Sequence, residues 1–229
     1  MHFGNAHIEQ YAVSSRPMNE TPPIPVEIPD RETIALMPLF ERLTLEQITV
    51  VADAESAARA RPLLLNAAVL GFDTESKPTF KVGEISTGPH VAQFSSCEHA
   101  WVIVLHDAAA RALAAELLVA PHIVKAGFGL SDDIRFISRK LEITPRGVLD
   151  LIKPFRSRGY KKDIGVKSAV ALLFGQRFVK SKKIATTNWA NPCLTPAQVV
   201  YAANDAYAAI RVYEALAVTD EVQARPLAI

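Results

Sequence analysis

Val69-Leu70-Gly71-Phe72-Asp73-Thr74-Glu75-Ser76 is an apolar run that closes on two carboxylates. Its length and apolar character read as a buried strand. Side chains alternate faces along a strand, so Asp73 and Glu75 emerge together. Two like charges side by side in a half-buried place repel, which raises a pKa or calls for a compensating cation, and a divalent metal is the simplest compensation. A solvated strand end carrying Asp-x-Glu would look the same, so the reading turns on what accompanies it.

Outward from this strand, Ile48-Thr49-Val50-Val51 reads as another strand, and Asp53 as the N-cap of an alanine-rich helix running to Leu65. Residues 31–45 have room for one short helix interrupted by Pro38. Residues 1–30, with Pro17, Pro22, Pro23, Pro25 and Pro29 and little apolar periodicity, read as an extended or disordered tail. On the carboxyl side, 91–94 and 101–105 are strand candidates on a short connection, which favours antiparallel neighbours. From Asp107 the pattern alternates: helix 108–119, strand 122–126, helix 130–141, strand 147–152, helix 164–174. Alternation of this kind implies crossovers and a parallel portion of the sheet. Thr195-Pro196 opens a last, long helix reaching about Ala217. The expected fold class is α/β, a mixed sheet flanked by helices.

With 49% hydrophobic and 21% charged residues, the composition is that of an ordinary globular protein. No apolar run approaches the roughly 20 residues that span a bilayer, so no membrane partner is expected. The opening residues lack the basic-then-apolar pattern of a secretory signal. Cys97 and Cys193 suggest neither a disulfide framework nor a zinc site, and a reducing, cytoplasmic setting fits. The net charge of +1 conceals a basic block. Between Leu151 and Lys183 stand ten basic residues (Lys153, Arg156, Arg158, Lys161, Lys162, Lys167, Arg177, Lys180, Lys182 and Lys183) against one acid, Asp163. Such a block is either a solvated face or a surface for a phosphate-rich partner.

Two further acidic clusters matter. In Ser131-Asp132-Asp133, the stripe Leu130, Ile134, Ile137, Leu141 includes Asp133, whereas Asp132 shares its face with Arg135 and Arg139. A carboxylate on an inward stripe is costly unless paired or bound to metal, which makes Asp133 the candidate; a helix N-terminal acid favoured by the macrodipole is the plainer alternative. In Tyr201-Ala202-Ala203-Asn204-Asp205 the phenol and the carboxylate, four apart, share one helix face with small alanines between them. Gly127-Phe128-Gly129 stands where a dinucleotide fingerprint would, but Asp132 occupies the third glycine position and would oppose a pyrophosphate. No nucleophile elbow or Walker loop occurs.

Asp-x-Glu on a strand, an inward Asp opening a helix, and Tyr-x-x-x-Asp in a last helix, in that order, resemble the DEDD superfamily of 3′-5′ exonucleases, tyrosine subtype, with the ribonuclease H-like fold. Gly165-Val166-Lys167-Ser168, Leu172-Leu173, Lys180-Ser181-Lys182-Lys183, Asn188-Trp189, Leu194-Thr195, Gln198 and Tyr201 to Tyr207 extend the likeness, which is closer to the Werner-syndrome exonuclease domain than to ribonuclease D. The resemblance implies an exonuclease domain over 31–225, with Asp73, Glu75, Asp133 and Asp205 holding two divalent cations and Tyr201 contacting the attacking water. An all-carboxylate site suits Mg²⁺ or Mn²⁺ rather than zinc, and no small-molecule cofactor is implied. Nucleic acid is the expected partner. Lys153, Arg156, Arg158, Lys161, Lys162, Lys167, Lys180, Lys182 and Lys183 are candidates to hold its backbone, with Trp189, Phe155 or Tyr160 to stack on a base. The alternative is a catalytically inactive nucleic-acid-binding or scaffold protein of the same fold; that reading expects a missing carboxylate.

Overall fold

Six strands form one mixed sheet in the computed structural model, which describes residues 27–79, 83–160 and 164–216. They are β1 (Ile48–Val51), β2 (Val69–Glu75), β3 (Val91–Ser95), β4 (Ala100–Val104), β5 (Val124–Gly127) and β6 (Val148–Asp150), in the order β1-β4-β3-β2-β5-β6. β2, β3 and β4 pair antiparallel, whereas β1 pairs parallel with β4, and β5 parallel with both β2 and β6. Parallel pairs need crossovers, and the helices provide them. These are α1 (Arg31–Leu36), α2 (Ala54–Leu65), α3 (Ala108–Val119), α4 (Ser131–Leu141), α5 (Ile152–Ser157), α6 (Val166–Phe174), α7 (Lys182–Ala185) and α8 (Pro196–Ala215). The α/β, ribonuclease H-like expectation is met.

Two cores lie on opposite faces of the sheet. On one, Leu70 and Phe72 of β2 pack with Leu64 of α2, Leu113 and Leu117 of α3 and Ile134 and Ile137 of α4. On the other, α8 lies across the strands and is covered by α5 and α6 through Phe155, Val170, Tyr207 and Ile210. Gly71 permits this close packing. A Cβ there would sit 1.9 Å from the Ala206 carbonyl oxygen, so α8 seats on β2 only because position 71 has no side chain. The start of α8 is set by a capping box in which Thr195 and Gln198 satisfy each other's backbone N–H groups, with Pro196 at the first position.

The structure departs from expectation near β6. Its strand ends at Asp150 because that carboxylate accepts the N–H of Ile152 and those of Gly129 and Leu130, turning the chain into the unforeseen helix α5. α7, capped by the Ser181 hydroxyl, was equally unforeseen. The tail expected over 1–30 lies outside the described residues except for 27–30, where Asp30 caps α1. Among the described residues no helix is long and apolar enough to cross a membrane.

Candidate active site

Alternation along β2 sends Gly71, Asp73 and Glu75 to the face covered by α8. Seating α8 on Gly71 brings Asp205, which is buried, to the same place, one helical turn after Tyr201. Asp133, in the first turn of α4, is fixed from the other side of the strand: Thr74, pointing opposite to Asp73, donates its hydroxyl proton to the Asp133 carboxylate. Its neighbour Asp132 turns to solvent, 73% exposed, and pairs with Arg135 at 2.9 Å. Asp132 and Asp133 thus part as their helical faces predict, the first exposed and the second half-buried.

Lys180 sits among these acids. Its Nζ lies 2.7 Å from Asp205 Oδ2 and 4.0 Å from Asp73 Oδ2, and 5.7 Å from the centre of the Tyr201 ring. This is the compensating cation that clustered carboxylates demand, supplied by the chain itself. Lys180, a candidate to hold a nucleic-acid backbone, thus lies within the acid cluster.

The electrostatics follow from burial and crowding. Burial, with Asp205 and Asp133 nearby, pushes Asp73 up to about 8 even against the Lys180 charge. Burial and the neighbouring Asp73 and Asp205 push Glu75 up to about 9. Asp133 and Asp205 are raised as well, chiefly by burial. Burial and the Asp205 charge hold the Tyr201 phenol protonated well above its ordinary range. Burial works against the charge on Lys180, but Asp205 and Asp73 outweigh it and keep the ammonium on.

The donor set suits a hard divalent cation: four carboxylates, oxygen ligands alone, with an unmet demand for positive charge. These carboxylates are not drawn into a ready-made cage, since among the described residues no three acidic, imidazole or thiolate groups stand in ligand positions around one point. A further polar group went unnoticed in the sequence. Gln93, directly across from Asp73 in the β2–β3 ladder, is fully buried, and both polar atoms of its side chain lack a hydrogen-bond partner among the described residues. A glutamine inside Val91-Ala92-Gln93-Phe94 was the available signal.

The candidate nucleic-acid contacts scatter. Lys182 and Lys183 are exposed on α7, adjoining Lys180, while Lys153, Arg156 and Lys167 are exposed on α5 and α6. Lys161 and Lys162 lie outside the described residues. Arg158 is engaged with the Pro154 and Leu216 carbonyls. Leu216 caps the far end of α8, about 22 Å along the helix from Tyr201, so Arg158 braces the fold rather than the cleft. The stacking candidates need correction. Trp189 is fully buried, its indole N–H donating to the Ala185 carbonyl at 3.1 Å and its ring 6.0 Å from that of Tyr201. Phe155 and Tyr160 are buried and pack edge to face on each other. All three aromatics belong to the core, where their large apolar area is worth most.

The profile of a 3′-5′ exonuclease family matches residues 48–219. The mouse bifunctional 3′-5′ exonuclease/ATP-dependent helicase WRN is 28% identical over 153 residues, 65% of this chain and 11% of that protein. The chain thus spans about a tenth of that relative's length. Among solved structures, the Nibbler EXO domain of Aedes aegypti superposes with a TM-score of 0.64 at 21% identity, covering 77% of this chain and 89% of that one. Escherichia coli RNase D gives 0.64 at 20% over 74% of this chain and 44% of its own. Trypanosoma brucei RNase D, solved in complex with RNA U12, gives 0.65 at 19% over 83% and 66%.

Proposed function

The chain belongs to the 3′-5′ exonuclease family, and on that footing we propose that Asp73, Glu75, Asp133 and Asp205 hold two divalent cations and that the protein releases nucleoside 5′-monophosphates from the 3′ end of a nucleic-acid strand. The observation that carries this reading is the meeting of four carboxylates from β2, α4 and α8 around one ammonium, with the Tyr201 phenol beside them. Charge crowded into a half-buried place raises the energy of the fold, and such clusters mark sites of chemistry.

Mg²⁺ or Mn²⁺ held there would supply a nucleophilic water at neutral pH and neutralise charge on the departing 3′ oxygen. The protein's own groups do the rest. Tyr201, kept protonated, offers a hydroxyl that orients the attacking water toward phosphorus. Lys180, kept charged, stands where a phosphate oxygen entering between Asp73 and Tyr201 meets it, and opposes the charge developing there. Lys182 and Lys183 extend this positive surface along α7 and hold the strand without reading its sequence. A reducing, cytoplasmic setting belongs to the same proposal, Cys97 and Cys193 being free thiols.

The test is incubation with 5′-labelled DNA and RNA strands in Mg²⁺, in Mn²⁺ and in EDTA. The expected result is a ladder shortened from the 3′ end whenever either cation is present, and intact strands in EDTA. Strands that are bound yet stay full length in all three would identify a catalytically inactive nucleic-acid-binding protein instead.

A further inference from the structure

Residues 37–43 precede the stretch shared with the family, yet they build one wall of the cleft. Phe40 is buried with its ring centre 5.6 Å from that of Phe174 and 5.9 Å from those of Phe178 and Tyr207. Its N–H donates to the Arg177 carbonyl at 3.0 Å, the Arg177 N–H donates to the Pro38 carbonyl at 2.8 Å, and Arg177 Nε donates to the Met37 carbonyl at 3.0 Å. On the other side, Leu43 N–H donates to Asn204 Oδ1 at 2.8 Å and Asn204 Nδ2 donates to the Leu43 carbonyl at 3.1 Å. Asn204 is fully buried and directly precedes Asp205. Arg42 is therefore held from both flanks, one anchor adjoining a catalytic acid.

Arg42 lines a cavity of about 240 Å³, the liquid volume of about eight waters, with Val179, Ser181, Ile184, Val200 and Tyr201. The lining is mostly apolar and includes Tyr201, with Arg42 and Ser181 among its polar residues. The Arg42 guanidinium lies 5.9 Å from the Phe178 ring centre and has no carboxylate within ion-pairing distance among the described residues. An apolar lining with a guanidinium at the same pocket suits a nucleobase attached to a phosphate.

We propose that this cavity is the subsite for the nucleotide on the 5′ side of the scissile phosphate, its base resting against Val179, Ile184 and the Tyr201 ring and its own 5′ phosphate held by Arg42. The inference rests on the exonuclease reading above. Direction follows from charge: the terminal nucleotide ends the strand, whereas the upstream strand carries a phosphate at every step, and this cavity has Arg42 in its lining and the exposed Lys182 and Lys183 next in the chain to its Ser181 and Ile184.

The experiment is an enzyme–substrate double-mutant cycle on the full chain. One DNA strand carries a single neutral methylphosphonate at the second linkage from the 3′ end, another at the fourth, and each is paired with the native protein, Arg42→Gln and Arg42→Lys. First-cleavage kcat/KM is expected to fall roughly tenfold with either the second-linkage methylphosphonate or Arg42→Gln, with no further loss when the two are combined, and Arg42→Lys restores part of the dependence on charge. Losses that multiply at the second linkage, or coupling at the fourth instead, would overturn the assignment. Fluorescence anisotropy in EDTA reads the same cycle as binding. If no strand is cleaved but the cycle closes in anisotropy, the exonuclease reading falls and the subsite stands; if strands are cleaved and neither cycle shows coupling, the subsite alone falls.

Discussion

Lys180 Nζ and Asp205 Oδ2 are 2.7 Å apart, joining a loop before α7 to the middle of α8 at the centre of the acid cluster. The side chain of Asp205 is 2% exposed and that of Lys180 29%, so solvent screens only one end of the pair. Lys180→Met should therefore destabilise the metal-free protein by about 1–3 kcal/mol, less than the loss of a fully buried pair. Millimolar Mn²⁺ should recover much of that loss. Urea titrations with Mn²⁺ and with EDTA check this; an equal deficit in both would separate Lys180 from the proposed cation site.

Asp133→Asn should abolish cleavage, while Asp132→Asn, which removes one exposed ion pair, should leave at least half of it and change stability by less than about 1 kcal/mol. Thr74→Val should lie between them, because it removes the hydroxyl that aims Asp133 while leaving the carboxylate in place. Turnover assays that rank the three otherwise would break the assignment by helical face.

Tyr201→Phe should slow single-turnover cleavage roughly 10-fold to 1000-fold, each factor of ten being about 1.4 kcal/mol of barrier. The ring's packing against Trp189 is retained, so stability should fall by only about 1 kcal/mol. Parental rates in that assay would take the phenol out of the chemistry.

Gly71→Ala should act on the site from beneath α8. The added methyl meets the Ala206 carbonyl oxygen, a backbone atom that moves only if the helix does. Overpacking of this kind costs about 1–3 kcal/mol or more, and lifting α8 carries Asp205 away from Asp73. Melting temperature and activity should fall together, and a variant with native activity would show that α8 has slack.

Lys125, on β5, is fully buried, its ammonium nitrogen donating to the Ala120 carbonyl at 2.8 Å, and burial lowers its pKa to about 7. The unfolded chain keeps the proton up to about 10.4. Between those values the unfolded state binds more protons at this lysine than the folded one, so the Lys125 contribution to stability rises with pH across that window, by up to about 1.4 kcal/mol per unit, while the raised Asp73 and Glu75 carboxyls act in the opposite direction up to about 8 and 9. Lys125→Met should raise stability at pH 6 more than at pH 9. Denaturation of the native protein and the variant at pH 6, 7.5 and 9 gives that difference, and its sign checks the assignment.

The strand and helix positions of the four acids were legible because each rested on a local period: two along β2, and three to four along α4 and α8. The part that escaped reading was long-range. Lys180 belongs to a basic run by composition, and nothing local says that its loop folds back onto Asp205. Trp189, Phe155 and Tyr160 have the composition of stacking residues in a basic segment, but the same rings serve a core equally well, and burial decided between the two. Asn204 and Leu43 hydrogen-bond across 161 positions of chain, beyond any pattern that spacing can reveal. β6 stopped early because the Asp150 side chain competes for backbone N–H groups, a choice made by geometry at one carboxylate.

The clamp of Asn204 on Leu43 also defines where the molecule can be cut. A chain trimmed to begin at Ile48, where the stretch shared with relatives starts, would strip Phe40 from the rings of Phe174, Phe178 and Tyr207 and leave the Asn204 amide facing the gap beside Asp205. The contacts that brace Asn204 reach further toward the front of the chain than the shared stretch does. Rates taken from such a fragment would describe a cleft with one side open, and a weak or inactive fragment would say little about the intact domain.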